Sequence, residues 1–349
     1  MLLYLHIPYC DSKCFYCNFN SYTKMQATKT VYMQKICEQF IFETKRYALT
    51  PKSISSLFIG GGTPSCVAAE LYDHFFTLIT PYLAEDVEIT TEANPNSASL
   101  EWLQTMKHFG VNRISFGVQS FDDKKLKYLG RAHDGKEAKR ALNDARKCGF
   151  EHISLDLIYG VTNDTKALLQ NDIELAFKLG CDHISAYELT IEENTKFDEK
   201  DAQKDETLGA VVASEIQKRG FEHYEVSNFG SYKCRHNLGY WNLDQYIGIG
   251  AGAVGMHKKS RIYGINDIAE YINDPLLVSI EHLSDEEIRT EKIFLGLRSE
   301  VGIDENILDA KMQKKAQILI NEGKLIYNNT RFYNKDYFLS DAIALYLIN

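Results

Sequence analysis

The chain contains 349 residues, of which 44% are hydrophobic and 25% are charged, and its formal net charge is −9. This composition is typical of a soluble globular protein, and the acidic balance argues against a nucleic-acid partner held through its phosphates. The sequence shows no apolar run of about eighteen residues and no basic-then-apolar leader, so we expect neither a membrane span nor a secretion signal. Eight cysteines in a protein without such a leader favour a reducing compartment, the cytoplasm.

Short apolar strands alternate with segments of helical period through the first two thirds of the chain. Strands are predicted at Leu2–Ile7, Ser56–Ile59, Val87–Glu92, Arg113–Val118, Ile153–Ile158 and His183–Leu189. Helices are predicted after them at Val31–Tyr47, Ala69–Tyr82, Leu100–Phe109, Lys136–Lys147, Lys166–Leu179 and Leu208–Arg219. Six β–α units in series indicate an α/β fold with a parallel sheet, which right-handed crossovers would wrap into a partial (β/α)6 barrel similar to a TIM barrel.

The pattern changes after residue 220, so we expect three regions. These are a barrel over 1–220, an accessory segment of irregular strands and loops over 221–282, and a small α+β domain over 283–349. The last region is predicted from helices at Glu286–Leu297 and Asp304–Asn321, a β-ribbon at Lys324–Tyr333 and a closing helix at Asp336–Ile348. Two helices followed by a ribbon are typical of a winged-helix-like unit.

Three cysteines, Cys10, Cys14 and Cys17, follow the first predicted strand. Three closely spaced thiolates can hold three irons of a cubane iron–sulfur cluster, which normally takes four cysteine ligands. Because the next cysteine is only Cys37, one iron of a [4Fe–4S] cluster would be left open to bind a ligand or substrate directly. The alternatives are a zinc site, although structural zinc usually takes four protein ligands, and three unrelated thiols. The five remaining cysteines are scattered and are expected to be small buried apolar residues.

Chemically suggestive residues fall at or just after the predicted ends of several strands. They are the cysteine triplet, Gly61–Thr63, Glu92, Gln119, Asp156 and Glu188. In a β/α barrel the carboxyl ends of the strands carry the functional residues. The sequence therefore predicts a site at this rim.

Four motifs carry a resemblance to a known family. In chain order they are YLHIPYC at 4–10, FIGGGTP at 58–64, FGVQSF at 116–121 and LDLIYG at 155–160. With the cysteine spacing, they resemble the radical S-adenosylmethionine (SAM) superfamily and, within it, the oxygen-independent coproporphyrinogen oxidase family, over essentially the whole chain. The resemblance implies a [4Fe–4S] cluster whose open iron binds the amino and carboxylate groups of SAM. Electron transfer from the cluster would cleave a C–S bond and give an adenosyl radical.

The same resemblance implies which residues bind SAM. The implied set is Tyr4 near the sulfonium, Tyr16 against the adenine, the Gly61, Gly62 and Thr63 turn at the methionine end, Glu92, and Gln119, Arg131 and Asp156 around the ribose and carboxylate. Gly61 and Gly62 lack side chains, so their backbone could approach the ligand closely. A generic turn is the alternative for this loop, whereas a Walker phosphate loop would need a following lysine. Without the resemblance, the carboxylates could be rim or capping residues and the tyrosines core residues.

Two departures from the oxidase pattern favour a sister group of heme chaperones. The oxidase carries a fourth cysteine two positions after the third, where this chain has Phe19. The oxidase also has an N-terminal extension that helps to form its substrate site, and only three residues precede Tyr4 here. Both departures match the sister group.

A third feature, the segment from Cys234 to Trp241, contains the H-N-x-x-Y-W motif that the sister group associates with heme. The resemblance implies a heme site made by His236, Asn237, Tyr240 and Trp241. Histidine can be an axial ligand of heme iron, and aromatic rings can pack on a porphyrin face. A structural histidine beside a buried tryptophan is the alternative, and Cys234 is a weaker candidate ligand.

The interpretation is a cytoplasmic heme chaperone that carries a [4Fe–4S] cluster and SAM and delivers heme to acceptor hemoproteins. It would also need an electron donor. The rival hypothesis is an oxidase that decarboxylates coproporphyrinogen III by radical chemistry. A radical enzyme acting on another substrate is the third possibility.

Overall fold

The computed structural model describes residues 1–203, 205 and 207–349. Six parallel strands lie side by side in chain order. They are β1 (Leu2–Ile7), β2 (Ile54–Gly61), β3 (Leu83–Ala93), β4 (Arg113–Gln119), β5 (His152–Tyr159) and β6 (His183–Glu188). All six predicted strands are therefore confirmed, and so is the parallel sheet.

Helices follow the strands as predicted. They are α1 (Lys29–Arg46), α2 (Asp73–Ile79), α3 (Leu100–His108), α4 (Asp123–Tyr128), α5 (Gly135–Lys147), α6 (Lys166–Lys178) and α7 (Leu208–Gln217). The predicted helix at Ala69–Tyr82 is shorter than expected, because 3₁₀ turns at Ala69–Tyr72 and Thr80–Tyr82 replace its two ends. The six-residue α4 was not predicted.

The two-residue period of the strands separates an apolar layer from a polar barrel interior. In β4, Ile114, Phe116 and Val118 are fully buried in the main hydrophobic core. The alternate residues Arg113 and Ser115 line a cavity inside the barrel. Helix-facing apolar side chains thus stabilise the barrel, and the opposite face carries the polar groups.

The segment after α7 extends both edges of the same sheet. Its elements are β7 (Glu222–Glu225), β8 (Asn228–Gly230), α8 (Arg235–Trp241), β9 (Tyr246–Ile249), β10 (Val254–His257), β11 (Ser260–Gly264), α9 (Ile268–Asn273) and β12 (Val278–His282). The full order is β12-β11-β10-β9-β1-β2-β3-β4-β5-β6-β8-β7, so the barrel remains open. Strand β9 pairs in parallel with β1, which makes it a seventh parallel strand where the sequence predicted only irregular structure.

The C-terminal elements form a separate hydrophobic core. They are α10 (Asp285–Leu297), β13 (Ile303–Asp304), α11 (Ala310–Asn321), β14 (Leu325–Asn328), β15 (Arg331–Asn334) and α12 (Ser340–Ile348). The three strands pair antiparallel in the order β13-β15-β14, and Leu297, Phe332 and Leu347 belong to the shared core. This is the predicted small α+β unit, whereas the exact division into three domains stays a prediction. None of the described helices is long and apolar enough to cross a membrane.

Candidate functional site

A cavity of about 440 Å³ opens at the carboxyl ends of the parallel strands. It brings together residues from the loop after β1 and from β2, β3, β4, β5 and the loop after α4. The predicted cluster and SAM residues that line it are Cys10, Cys14, Cys17, Tyr16, Gly61, Gly62, Thr63, Glu92, Gln119, Arg131 and Asp156. Tyr4 is the one predicted SAM residue that does not line this cavity.

The three cysteines lie on a loop that is fixed to neighbouring strands. The Sγ of Cys10 lies 3.4 Å from the Thr63 hydroxyl, and the Sγ of Cys14 accepts a hydrogen bond of 3.2 Å from Arg131. Burial raises the pKa of the Cys10 and Cys17 thiols, while the ammonium of Lys13 acts to lower both. Within 1–203, 205 and 207–349, no three His, Cys, Asp or Glu side chains are grouped around a single ion position. Three thiols on one cavity wall fit a multi-iron cluster, in which each thiolate binds a different iron.

Gly61 and Gly62 allow β2 to approach the cysteine loop. Gly61 has φ +118°, and a Cβ there would lie 2.6 Å from the imidazole of His6. A Cβ on Gly62 would lie 2.7 Å from the carbonyl oxygen of Tyr9 and 3.1 Å from the Sγ of Cys10. A side chain at Gly62 would therefore displace the cysteine loop, and one at Gly61 would displace the His6 imidazole. The contact of these glycines with SAM stays a prediction.

Two half-buried carboxyl groups, on β3 and β5, line both this cavity and the space below it. Glu92 Oε2 accepts a hydrogen bond of 3.1 Å from the Gly61 N–H. Burial and the neighbouring Asp156 raise the pKa of Glu92 to about 8, and burial raises the pKa of Asp156 to about 6. Asp156 lies in the middle of β5 and not at its end. Such a pair fits a cationic ligand, because the ammonium and sulfonium of SAM would favour the ionised carboxylates.

Arg131 connects the cysteine loop to β3 and β4. Its guanidinium donates hydrogen bonds of 2.6 Å to Asn94 Oδ1, 2.6 Å to the Gly117 carbonyl and 3.4 Å to the Tyr16 hydroxyl. Gln119 has φ +66°, and its buried Oε1 has no hydrogen-bond partner within the described part of the chain, which leaves an acceptor for a ligand. Asn94 also lines the cavity and was missed by the sequence analysis, although its place directly after β3 was a usable signal.

Tyr4 lines a second cavity of about 210 Å³ below the first, inside the barrel. Its hydroxyl lies 2.9 Å from Nδ1 of His6. The two cavities share Glu92, Asp156 and Tyr187. Tyr4 is thus near the acid pair but outside the upper cavity, and its contact with the sulfonium stays a prediction.

The predicted heme segment forms α8, which lies at the opposite end of the same lumen. His236 is 1% exposed, its Nδ1 lies 2.7 Å from the Ser56 hydroxyl, and its Nε2 has no partner among the residues that the structure describes. Asn237 and Tyr240 line the lower cavity with His236, whereas Trp241 lines another cavity, beside the C-terminal unit. The structure therefore groups three of the four candidate heme residues.

Glu88, which the sequence analysis did not single out, anchors the start of α8. It accepts hydrogen bonds of 3.0 Å from the backbone N–H groups of Arg235 and His236 and one of 2.8 Å from Tyr232. Although burial alone would raise the pKa of Glu88, Arg113 and these donors bring it below its usual value. Cys234 is fully buried here, with its Sγ 3.6 Å from Glu88.

Comparison with known proteins gives consistent results. The Radical SAM superfamily model matches residues 4–176. A heme chaperone HemW of Bacillus subtilis is 35% identical over 86% of this chain and 84% of its own length. HemW proteins of Mycobacterium tuberculosis and Escherichia coli are 31% and 38% identical over 99% and 72% of this chain, and over 94% and 69% of their own lengths.

Structural comparison finds a similar fold in coproporphyrinogen III oxidase HemN from Escherichia coli, described as a radical SAM enzyme. The TM-score is 0.83, with coverage of 99% of this chain and 89% of that chain. Because the sequences are only 19% identical, this likeness shows the fold alone. It confirms the predicted radical SAM type of barrel.

Replacing any of Cys10, Cys14 or Cys17 by Ala is expected to abolish most of the iron bound after anaerobic reconstitution, because a cubane cluster needs all three thiolates. Iron and sulfide content and the electron paramagnetic resonance of the reduced protein measure the loss. Cys66→Ala is the matched control, since the Cys66 thiol is close enough to Cys10 and Asp11 to interact with them but does not line the cavity. Equal iron loss in the control would contradict the assignment.

Glu92 is expected to contribute a loss of stability to the cofactor-free protein as pH rises from about 4.5 to about 8. Because burial raises the pKa of Glu92 to about 8, the folded state binds a proton that the unfolded chain releases. Glu92→Gln removes this titration. The change in the free energy of unfolding by urea across this pH range should then become smaller by an amount on the order of a few kcal/mol. Glu225→Gln is the control: its pKa is also raised to about 8, but it lies outside both cavities, so only Glu92→Gln should weaken SAM binding. An unchanged slope in Glu92→Gln would contradict the prediction.

Proposed function

The chain belongs to the HemW family of radical SAM proteins, and on that premise we propose that it is a heme chaperone, which binds heme and delivers it to acceptor hemoproteins. The observation that carries the proposal is the identity of 31–38% to several proteins named heme chaperone HemW, in alignments that span up to 99% of the chain. The predicted setting is the cytoplasm, and the predicted partners include an electron donor.

Phe19 supports the chaperone over the oxidase. The oxidase pattern has a fourth cysteine at this position, whereas here the phenyl ring lines the upper cavity and is 67% exposed. The lower cavity supports the same choice, because its volume of about 210 Å³ is below the roughly 300–1,000 Å³ of pockets that take drug-sized ligands. A tetrapyrrole therefore does not fit inside the lower cavity.

The residues of the upper cavity fit a cluster and SAM. Cys10, Cys14 and Cys17 would hold the cluster, and the Arg131 guanidinium donates a hydrogen bond to the Sγ of Cys14. Glu92 would bind a cationic group of SAM, and Asp156 would bind a hydroxyl of its ribose. When bound, the cluster and SAM together supply an electron and a cleavable C–S bond for radical chemistry.

We place the heme on or near α8, with His236 as the candidate axial ligand. The unpartnered Nε2 of His236 supports this role, because a buried ring nitrogen without a partner is costly. The ring is buried and the lower cavity is small, so the helix has to turn or lift for Nε2 to reach an iron outside the barrel. Tyr240 and Trp241 would then pack against the porphyrin face.

Titration of the cluster-loaded protein with heme, followed by its absorption spectrum, tests the function and the ligand separately. The intact protein is expected to bind heme saturably and to transfer it to an apo-hemoprotein. His236→Ala should weaken binding by about tenfold or more and change the heme spectrum, because the axial bond is lost. An unchanged affinity and spectrum would remove His236 as the ligand.

Matched controls separate ligation from folding. His183→Ala removes another fully buried histidine of the barrel, which bonds Ser154 and Tyr224 and does not line the lower cavity, so the heme spectrum should stay the same.

An anaerobic assay with reductant, SAM and coproporphyrinogen III runs on the same preparation. Formation of protoporphyrinogen IX at useful rates would establish the oxidase instead.

A further inference from the structure

The lower cavity contains a charged group that neither the cofactor assignment nor the heme assignment uses. Arg113, at the start of β4, is 2% exposed and lines this cavity but not the upper one. Its guanidinium is always protonated and carries five N–H donors. No described residue accepts a hydrogen bond from it, and its Nε is buried without a partner.

A neighbouring acid offsets part of the charge of Arg113 but does not accept its hydrogen bonds. Glu88 interacts with Arg113 electrostatically, yet its oxygens already accept from Tyr232, Arg235 and His236. Buried donors left unpaired cost free energy, and a planar guanidinium pairs best with a carboxylate. The fork of Arg113 is therefore free for an acceptor inside the cavity.

The other end of the cavity has the opposite character. Its roof is formed by Glu92 and Asp156, and Ser115 donates a hydrogen bond of 3.4 Å to Asp156. Arg113 acts to lower the pKa of both carboxyl groups, so the three groups share one electrostatic environment. The cavity thus has a cationic floor and an acidic roof.

We propose that this cavity binds a small amino acid, with its carboxylate on Arg113 and its ammonium on Asp156. A simple anion would be repelled by the roof and a simple cation by the floor, whereas a zwitterion matches both and adds no net charge to a buried site. The volume of about 210 Å³ equals the share of roughly seven water molecules in the liquid, which accommodates a molecule such as alanine. The proposal does not depend on heme binding.

Saturation-transfer NMR on the full-length, cofactor-free protein tests the site with three probes of similar size. Alanine is expected to bind saturably, and propionate and propylamine at least about tenfold more weakly, because each lacks one charged group. Arg113→Gln should weaken alanine binding by about tenfold or more. Methionine serves as a fourth probe: as the amino-acid part of SAM it can enter the upper cavity, and binding there should not respond to Arg113→Gln.

Two further variants keep the test decisive if Arg113→Gln does not fold. Ser115→Leu fills the cavity while Arg113 and Glu88 remain, and it should abolish alanine binding. Arg219→Gln, which removes an arginine bound to Glu215 on α7, is the control and should bind alanine as the unmodified chain does. Circular dichroism confirms folding. Absent or non-selective binding of alanine, or undiminished binding in folded Arg113→Gln or Ser115→Leu, would overturn the proposal.

Discussion

The buried carboxylate of Glu88 fixes helix α8 at one end of the barrel, and the arrangement of the lower cavity depends on it. It is fully buried, yet it remains ionised because Arg113 lies nearby and two backbone N–H groups of α8 and the Tyr232 hydroxyl donate to it. A carboxylate at a helix N-terminus satisfies donors that have no partner within the helix. Helix α8 is thereby fixed across the lumen, which places His236 against Ser56 of β2.

At the other end of the barrel, Arg131 holds the cysteine loop in place by hydrogen bonds. It joins the cysteine loop, through Cys14 and Tyr16, to Asn94 after β3 and to Gly117 in β4. The loop has no regular structure of its own, so these bonds and the close approach of Gly62 to Cys10 hold the thiols in place. The Arg131 guanidinium therefore organises this end of the lumen as the Glu88 carboxylate organises the other, and Glu92 and Asp156 lie between them.

The sequence was sufficient for the elements whose pattern is local. The six strands and the motifs at their ends could be predicted because alternation, glycine turns and cysteine spacing are read over a few residues. Strand β9 could not, since its four residues include Gly248 and its pairing with β1 spans more than 200 positions of the chain. In the sequence, Arg113 is only a charged residue at the start of an apolar strand. It lacks a hydrogen-bond acceptor among the described residues of the folded protein because the Glu88 carboxylate accepts from Tyr232, Arg235 and His236 instead. Likewise, the motif at His236 predicted a ligand but not that α8 would bury it.

The distribution of polar groups explains why the lumen, and not the helix layer, carries the chemistry. Apolar side chains such as Leu57, Ile114 and Leu155 pack fully buried in the core between the strands and the helices, where dispersion and the hydrophobic effect supply the stability. A barrel interior is normally filled by bulky branched side chains. Here it contains Arg113, Gln119 and His236, each with a buried polar atom that lacks a partner. Such atoms lower stability, and these three leave polar groups of the lumen available to bind a ligand.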